Sequence, residues 1–167
     1  MSETPADTRW RLARRHSIVG WWGLLVFLTL GLTLEALHGY KIGFYLDPAN
    51  RIRRLMWTLA HAHGTLIAIV HLAFAAGLGQ FGQWTVMRLR VASFLLIDAL
   101  LLLPLGFFLG GIGNNEVDPS PGILLVPMGG FALLGAVALI AWSATLEARS
   151  AGPSTNGATD RRSGRSP

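Results

Sequence analysis

Six ionisable side chains lie within or at the ends of apolar stretches of this sequence, and their types are those that carry chemistry. They are Glu35, His38, His61, His63, His71 and Asp98. An ionisable group inside a membrane span is costly, so each is expected to have a partner or a function. Imidazole and carboxylate groups bind transition metals, hold haem iron and transfer protons.

Four of these residues are predicted to share one layer near the outer face of the membrane that the chain crosses. Glu35 and His38 are three residues apart and therefore lie on one helical face. This Glu-x-x-His spacing is the one that di-iron carboxylate bundles use to direct two ligands inward, although those bundles need two such motifs. His61 and His63 are two residues apart and point to nearly opposite sides. We expect these four residues to be candidate metal ligands, and His38 and His63 to be candidate ligands of haem b.

The remaining two residues, His71 and Asp98, are predicted to form a second polar layer. Each lies about seven residues from the inner end of its own apolar segment, which corresponds to a depth of roughly 10 Å. A hydrogen bond between His71 and Asp98 would offset much of the cost of placing both in lipid. They are therefore expected to be an intramembrane polar pair.

The elements that must position these residues are four apolar segments of roughly 20 residues, a length that matches the hydrocarbon core of a bilayer. The sequence predicts an all-α membrane four-helix bundle with up-down-up-down topology. The predicted helices cover about 17–38, 48–79, 88–110 and 122–148, between a polar and basic N-terminal segment at 1–16 and a disordered tail at 149–167.

Composition and charge exclude an ordinary soluble domain. Hydrophobic residues make up 51% of the 167 residues, charged residues only 14%, and there is no cysteine. The net charge of +5 comes from basic residues that flank the apolar segments, so it indicates topology and not binding of nucleic acid. We expect both termini to be cytoplasmic and the protein to be a multi-pass cell-membrane protein of the bacterial inner-membrane type.

Residues 54–66, Arg-Leu-Met-Trp-Thr-Leu-Ala-His-Ala-His-Gly-Thr-Leu, resemble the haem-ligand helix of haem-copper oxidase subunit I. In that family an Ala-His-Gly-type stretch carries an axial histidine of the haem. The resemblance implies that His63, which precedes Gly64, is the matching ligand. The rest of the chain departs from the family, because it lacks the other helices, the partner haem ligand and the copper histidines.

Three functions are compatible with these patterns. The one we favour is a small accessory or structural membrane subunit, whose partners are the lipid bilayer and other membrane subunits or a second copy. The alternatives are a redox protein that binds haem or a metal near the outer face, and a pathway for protons or small solutes. No nucleophile and base can be paired from their spacing, so the sequence assigns no catalytic residue and leaves open whether the protein is an enzyme.

Overall fold

The computed structural model describes residues 4–79, 84–113 and 118–150, and all regular structure in these ranges is helical. Each of the four long helices is long and apolar enough to cross a membrane. This confirms the all-α class and is compatible with an integral membrane protein. The helices are α1 Pro5–Gly39, the short α2 Gly43–Leu46, α3 Arg51–Gly77, α4 Val86–Gly110 and α5 Leu125–Ser150, with 3-10 turns at Pro48–Asn50 and Pro121–Leu124.

Helix α1 begins much earlier than its apolar residues suggest. The Thr4 hydroxyl accepts a hydrogen bond from the backbone N–H of Asp7 at 3.2 Å, while the Asp7 carboxylate accepts from the Thr4 N–H at 3.3 Å. This reciprocal pair is a capping box, and Pro5 occupies the first helical turn. Residues 5–16 are therefore the start of a 35-residue helix and not a separate polar segment. The predicted tail lies outside the described residues except at its beginning.

The helices pack in the order of the chain. Helix α1 packs along α3, α3 along α4 and α4 along α5, with a smaller contact between α1 and α4. Within the described ranges, the backbones of α1 and α5 are not adjacent. The arrangement is thus an open row in which α3 and α4 are the central helices.

Glycines allow close approach at two of these helix contacts. A β-carbon at position 31 of α1 would overlap the His61 ring on α3. One at position 129 of α5 would lie 2.5 Å from the backbone nitrogen of Leu103 on α4. Small residues at helix interfaces are the usual means by which membrane helices come into van der Waals contact.

A buried arginine forms hydrogen bonds to several carbonyl oxygens at the end of the molecule where α1 ends and α3 begins. Arg53 donates hydrogen bonds to the carbonyl oxygens of Gly111 at 3.3 Å, Phe44 at 3.2 Å and Gly113 at 2.8 Å. Its guanidinium also lies 4.5 Å from the centre of the Phe44 ring. Arg53 therefore joins the connection before α3 to the segment that follows α4.

Candidate functional site

Two histidines form a hydrogen-bonded pair in the interior of the helix row. His16 on α1 and His71 on α3 are both fully buried, and their Nδ1 atoms are 2.7 Å apart. The second nitrogen of His16, Nε2, lies 2.8 Å from the hydroxyl oxygen of Ser93 on α4. The second nitrogen of His71 lies 3.1 Å from the carbonyl oxygen of Leu96, also on α4. The network therefore joins three helices.

The direction of each hydrogen bond follows from the carbonyl at one end. A carbonyl only accepts, so Nε2 of His71 carries a hydrogen, and in the neutral ring its Nδ1 is then an acceptor. Nδ1 of His16 must consequently donate, which leaves Nε2 of His16 to accept from the Ser93 hydroxyl. One chain of donors runs from Ser93 through His16 and His71 to Leu96, and every ring nitrogen is satisfied.

The surroundings of the pair are apolar. The edge of the Phe74 ring meets His16 with 4.8 Å between ring centres. Leu12, Leu89 and Leu96 belong to the buried cluster at this end of the molecule. Hydrogen bonds inside such a cluster are shielded from water. A polar group left there without a hydrogen-bond partner therefore costs more free energy than one at the surface.

The interaction predicted between His71 and Asp98 is not formed. Both ring nitrogens of His71 are engaged, one by His16 and the other by the Leu96 carbonyl. Asp98 is partly buried on α4. The sequence predicts a similar depth in the membrane for Asp98 and His71, but the observed hydrogen-bond partner of His71 is His16 on α1. His16 was missed because it precedes the apolar segment, and the signal that could have found it is the Thr4 cap, which starts the helix upstream.

The predicted outer layer is partly assembled. Glu35, His38 and His61 line one cleft between α1 and α3 with a volume of about 580 Å³. Nδ1 of His61 lies 2.7 Å from the carbonyl oxygen of Phe27, which orients the ring across the helix contact. Three of the four predicted metal ligands therefore share one space.

His63, the fourth predicted ligand, lies elsewhere. Its ring packs against Phe107 on α4 at 4.9 Å between ring centres, and its Nδ1 is 2.9 Å from the Leu59 carbonyl oxygen. It does not line the cleft that holds His38, so the two residues predicted as haem ligands are not brought to one space. Among the described residues, no group of three or more histidine or acidic side chains is arranged to hold a metal ion.

A second cleft leads toward the histidine pair from the end where α1 begins. Its volume is about 430 Å³, and Ser93 forms part of its wall. The Ser93 side chain is nearly buried, with 2% of its surface exposed, and it bonds to His16 on the inner side. Ser93 thus connects the buried pair to the wall of an open cleft.

Comparisons with protein-family models, with curated proteins and with solved structures find no match to this chain.

Proposed function

We propose that this chain is a proton-binding integral membrane protein in which His16 and His71 together take up and release a single proton. The observation that carries the proposal is the 2.7 Å separation of two Nδ1 atoms in rings that are both fully buried. Histidine is the side chain whose ordinary protonation equilibrium lies nearest neutral pH, and a hydrogen bond between two histidines lets them share one added proton.

The geometry limits the pair to one additional proton. In the neutral pair, Ser93 donates to His16 and His16 donates to His71. An added proton binds Nε2 of His16, because the Ser93 hydroxyl can rotate and accept instead of donating. A second added proton would place two N–H groups against each other across 2.7 Å, and the pair would have to separate. The two histidines therefore titrate as one coupled unit.

Charged groups on two helices surround this unit. Arg15 is adjacent to His16 on α1, and on α4 Arg90 lines the cleft at Ser93, while Asp98 lies two residues beyond Leu96. On α5, the side chains that pack against the same cluster are apolar: Leu133, Ala136, Leu139 and Ile140. The burial of the pair is the main influence on the pH at which the proton is taken up, and the neighbouring charge of Arg15 adds to it.

One route to the pair passes Ser93. Ser93 leads to the cleft near the start of α1, whereas toward the cleft of Glu35 and His61 the interior is filled by a second apolar cluster: Ile67, Ala68, Ala99, Leu100 and Leu103. This supports a site that binds a proton arriving from the cleft at Ser93, in preference to a continuous path for protons through the membrane. Protonation would alter the link among α1, α3 and α4.

We place both termini on the cytoplasmic side in an up-down-up-down topology. Gly20 of α1 lies against Leu72 of α3, and Gly31 lies against His61, which supports an antiparallel first pair of helices. The arginine-rich start of α1 then faces the cytoplasm, as the positive-inside rule favours. The pair would accordingly sense cytoplasmic pH in a cell membrane of the bacterial inner-membrane type.

The test is nitrogen NMR of the full-length protein labelled with 15N-histidine in lipid nanodiscs, recorded between pH 8 and pH 4. We expect Nε2–H on His71 and Nδ1–H on His16 at high pH, and one imidazolium shared by the two residues at low pH. His16→Gln and His71→Gln assign the signals, and the exposed His38 serves as an independent reference. Two separately protonated histidines, or a pair that stays neutral while the fold persists, would overturn the proposal.

A second candidate function is that of an accessory subunit, and the open row of helices favours it. Because α1 and α5 lie at the two ends of the row, both expose long apolar faces, on which Leu32, Phe131 and Leu134 are 72%, 74% and 65% exposed. Either lipid, a second copy or another subunit covers these faces. Native mass spectrometry after mild extraction from the source membrane tests this, since a stoichiometric partner or dimer is expected and a monomer alone would contradict it.

A further inference from the structure

We propose that the cleft at the start of α1 binds the phosphate of an acidic phospholipid headgroup. Three arginines, Arg11, Arg15 and Arg90, line this cleft of about 430 Å³. The cleft also adjoins the histidine pair at Ser93, but the pair is complete without any ligand, so binding of lipid and binding of the proton can be tested separately.

The three arginines come from the two helices that border the cleft. Arg11 and Arg15 are four residues apart and so lie on one face of α1, and Arg90 faces the same space from α4. The guanidinium group presents several N–H donors in a planar fork that matches the oxygens of a phosphate. Three such groups around one space favour an anion with several acceptor oxygens over a neutral ligand.

The remainder of the cleft wall identifies the source of the phosphate as a lipid. Leu12 is buried at its base, whereas Phe94 is 65% exposed on the outer surface of α4. A ligand that places a phosphate among the arginines would therefore place an attached acyl chain along Phe94. Helix α1 has 35 residues and a length of roughly 50 Å, so its basic first turns extend beyond the hydrocarbon core to the depth of the headgroups.

The basic residues of this end are not equivalent, and this provides matched controls. Arg88 lies on α4 two residues before Arg90 and is exposed, but it does not line the space. Arg14 adjoins Arg15 in sequence but does not line the space either. General attraction to an anionic surface would use all of these residues alike, whereas a built site depends on Arg90 and Arg11.

The experiment measures binding of fluorescent phosphatidylglycerol to the purified full-length protein in neutral detergent at high salt, where general attraction is screened. We expect phosphatidylglycerol to bind more tightly than phosphatidylcholine. Arg90→Gln and Arg11→Gln should each weaken it about tenfold or more, as loss of a charge-assisted hydrogen bond implies. Arg88→Gln should change the affinity by less than about twofold, because an exposed charge is screened at this salt concentration.

Three results would overturn the assignment. Equal binding of the two lipids would exclude a phosphate-selective headgroup site, and equal losses in Arg90→Gln and Arg88→Gln would indicate surface charge alone. Release of the lipid by millimolar inorganic phosphate would instead identify a site for a soluble anion. Circular dichroism of each variant checks the fold, and His71→Gln should bind lipid normally, so the two proposals can fail independently.

Discussion

Nδ1 of His16 lies 2.7 Å from Nδ1 of His71, although the two residues are 55 positions apart in the chain. This contact is made between the first turns of α1 and the last turns of α3, inside an apolar cluster. In the part of the chain that the structure describes, the Nδ1 atom of each ring is hydrogen-bonded to the Nδ1 atom of the other ring. The contribution of either histidine to the free energy of unfolding therefore depends on the presence of the other.

A double-mutant cycle should reveal this dependence. His16→Phe or His71→Phe alone leaves a buried ring nitrogen without a partner and should lower the free energy of unfolding by about 1 to 3 kcal/mol. The double variant should cost less than the sum, with a coupling energy of about 1 kcal/mol. Reversible unfolding in mixed detergent micelles measures the four proteins. Strict additivity would show that the contact carries no free energy.

Ser93→Ala should disturb the pair without removing either ring. The variant deletes the hydroxyl that donates to Nε2 of His16 at 2.8 Å, so this buried acceptor loses its partner. We expect a loss of about 1 to 2 kcal/mol in stability and a shift in the 15N resonance of His16 Nε2. Ser93→Thr retains the hydroxyl and is the control. Unchanged His16 resonances in Ser93→Ala would contradict the proposed direction of the hydrogen bonds.

Neighbouring glycines on α5 should respond oppositely to the same substitution. In Gly129→Ala the new methyl group meets the backbone of Leu103 on α4, which cannot rotate away, so α4 and α5 must separate. We expect a loss of about 1 to 3 kcal/mol, typical of overpacking. Gly130→Ala meets nothing within 4 Å and should be neutral or slightly stabilising. The free energy of unfolding of each variant measures the difference. Equal effects of the two substitutions would show that α4 and α5 are not closely packed at position 129.

Arg53→Lys should weaken the end of the molecule opposite to the histidine pair. A single ammonium group cannot reach the Phe44, Gly111 and Gly113 carbonyls together, as the guanidinium does. We expect about 1 to 3 kcal/mol of destabilisation and faster cleavage by protease between α2 and α3. The exposed Arg51 provides the matched control, Arg51→Lys. Equal protection from protease in the two variants would show that Arg53 does not hold this connection.

Much of the fold could be predicted from the sequence, because hydropathy and length determine where a chain can cross a membrane. The start of α1 could not be obtained in that way, since it depends on the local capping box of Thr4 and Asp7. That early start brings His16 into the helix row. The packing of the helices as an open row could not be predicted either, because hydropathy does not distinguish a helix face covered by protein from one covered by lipid.

The candidate site was predicted only in part for a similar reason. Helical spacing indicated that His61 and His63 point apart, and the structure agrees, with His61 toward Phe27 of α1 and His63 toward Phe107 of α4. Spacing and depth within one helix do not reveal which neighbour supplies a partner. His71 illustrates this limit, since Asp98 was at a suitable depth while the hydrogen bond formed with another helix.

The packing of the helices in chain order has a consequence for biogenesis. Since α1 packs on α3, α3 on α4 and α4 on α5, each segment that leaves the ribosome finds its principal neighbour already inserted. No helix has to wait for one made much later, and contacts of short sequence separation form rapidly. The histidine pair can therefore be completed on arrival of α4, before the last helix has been synthesised.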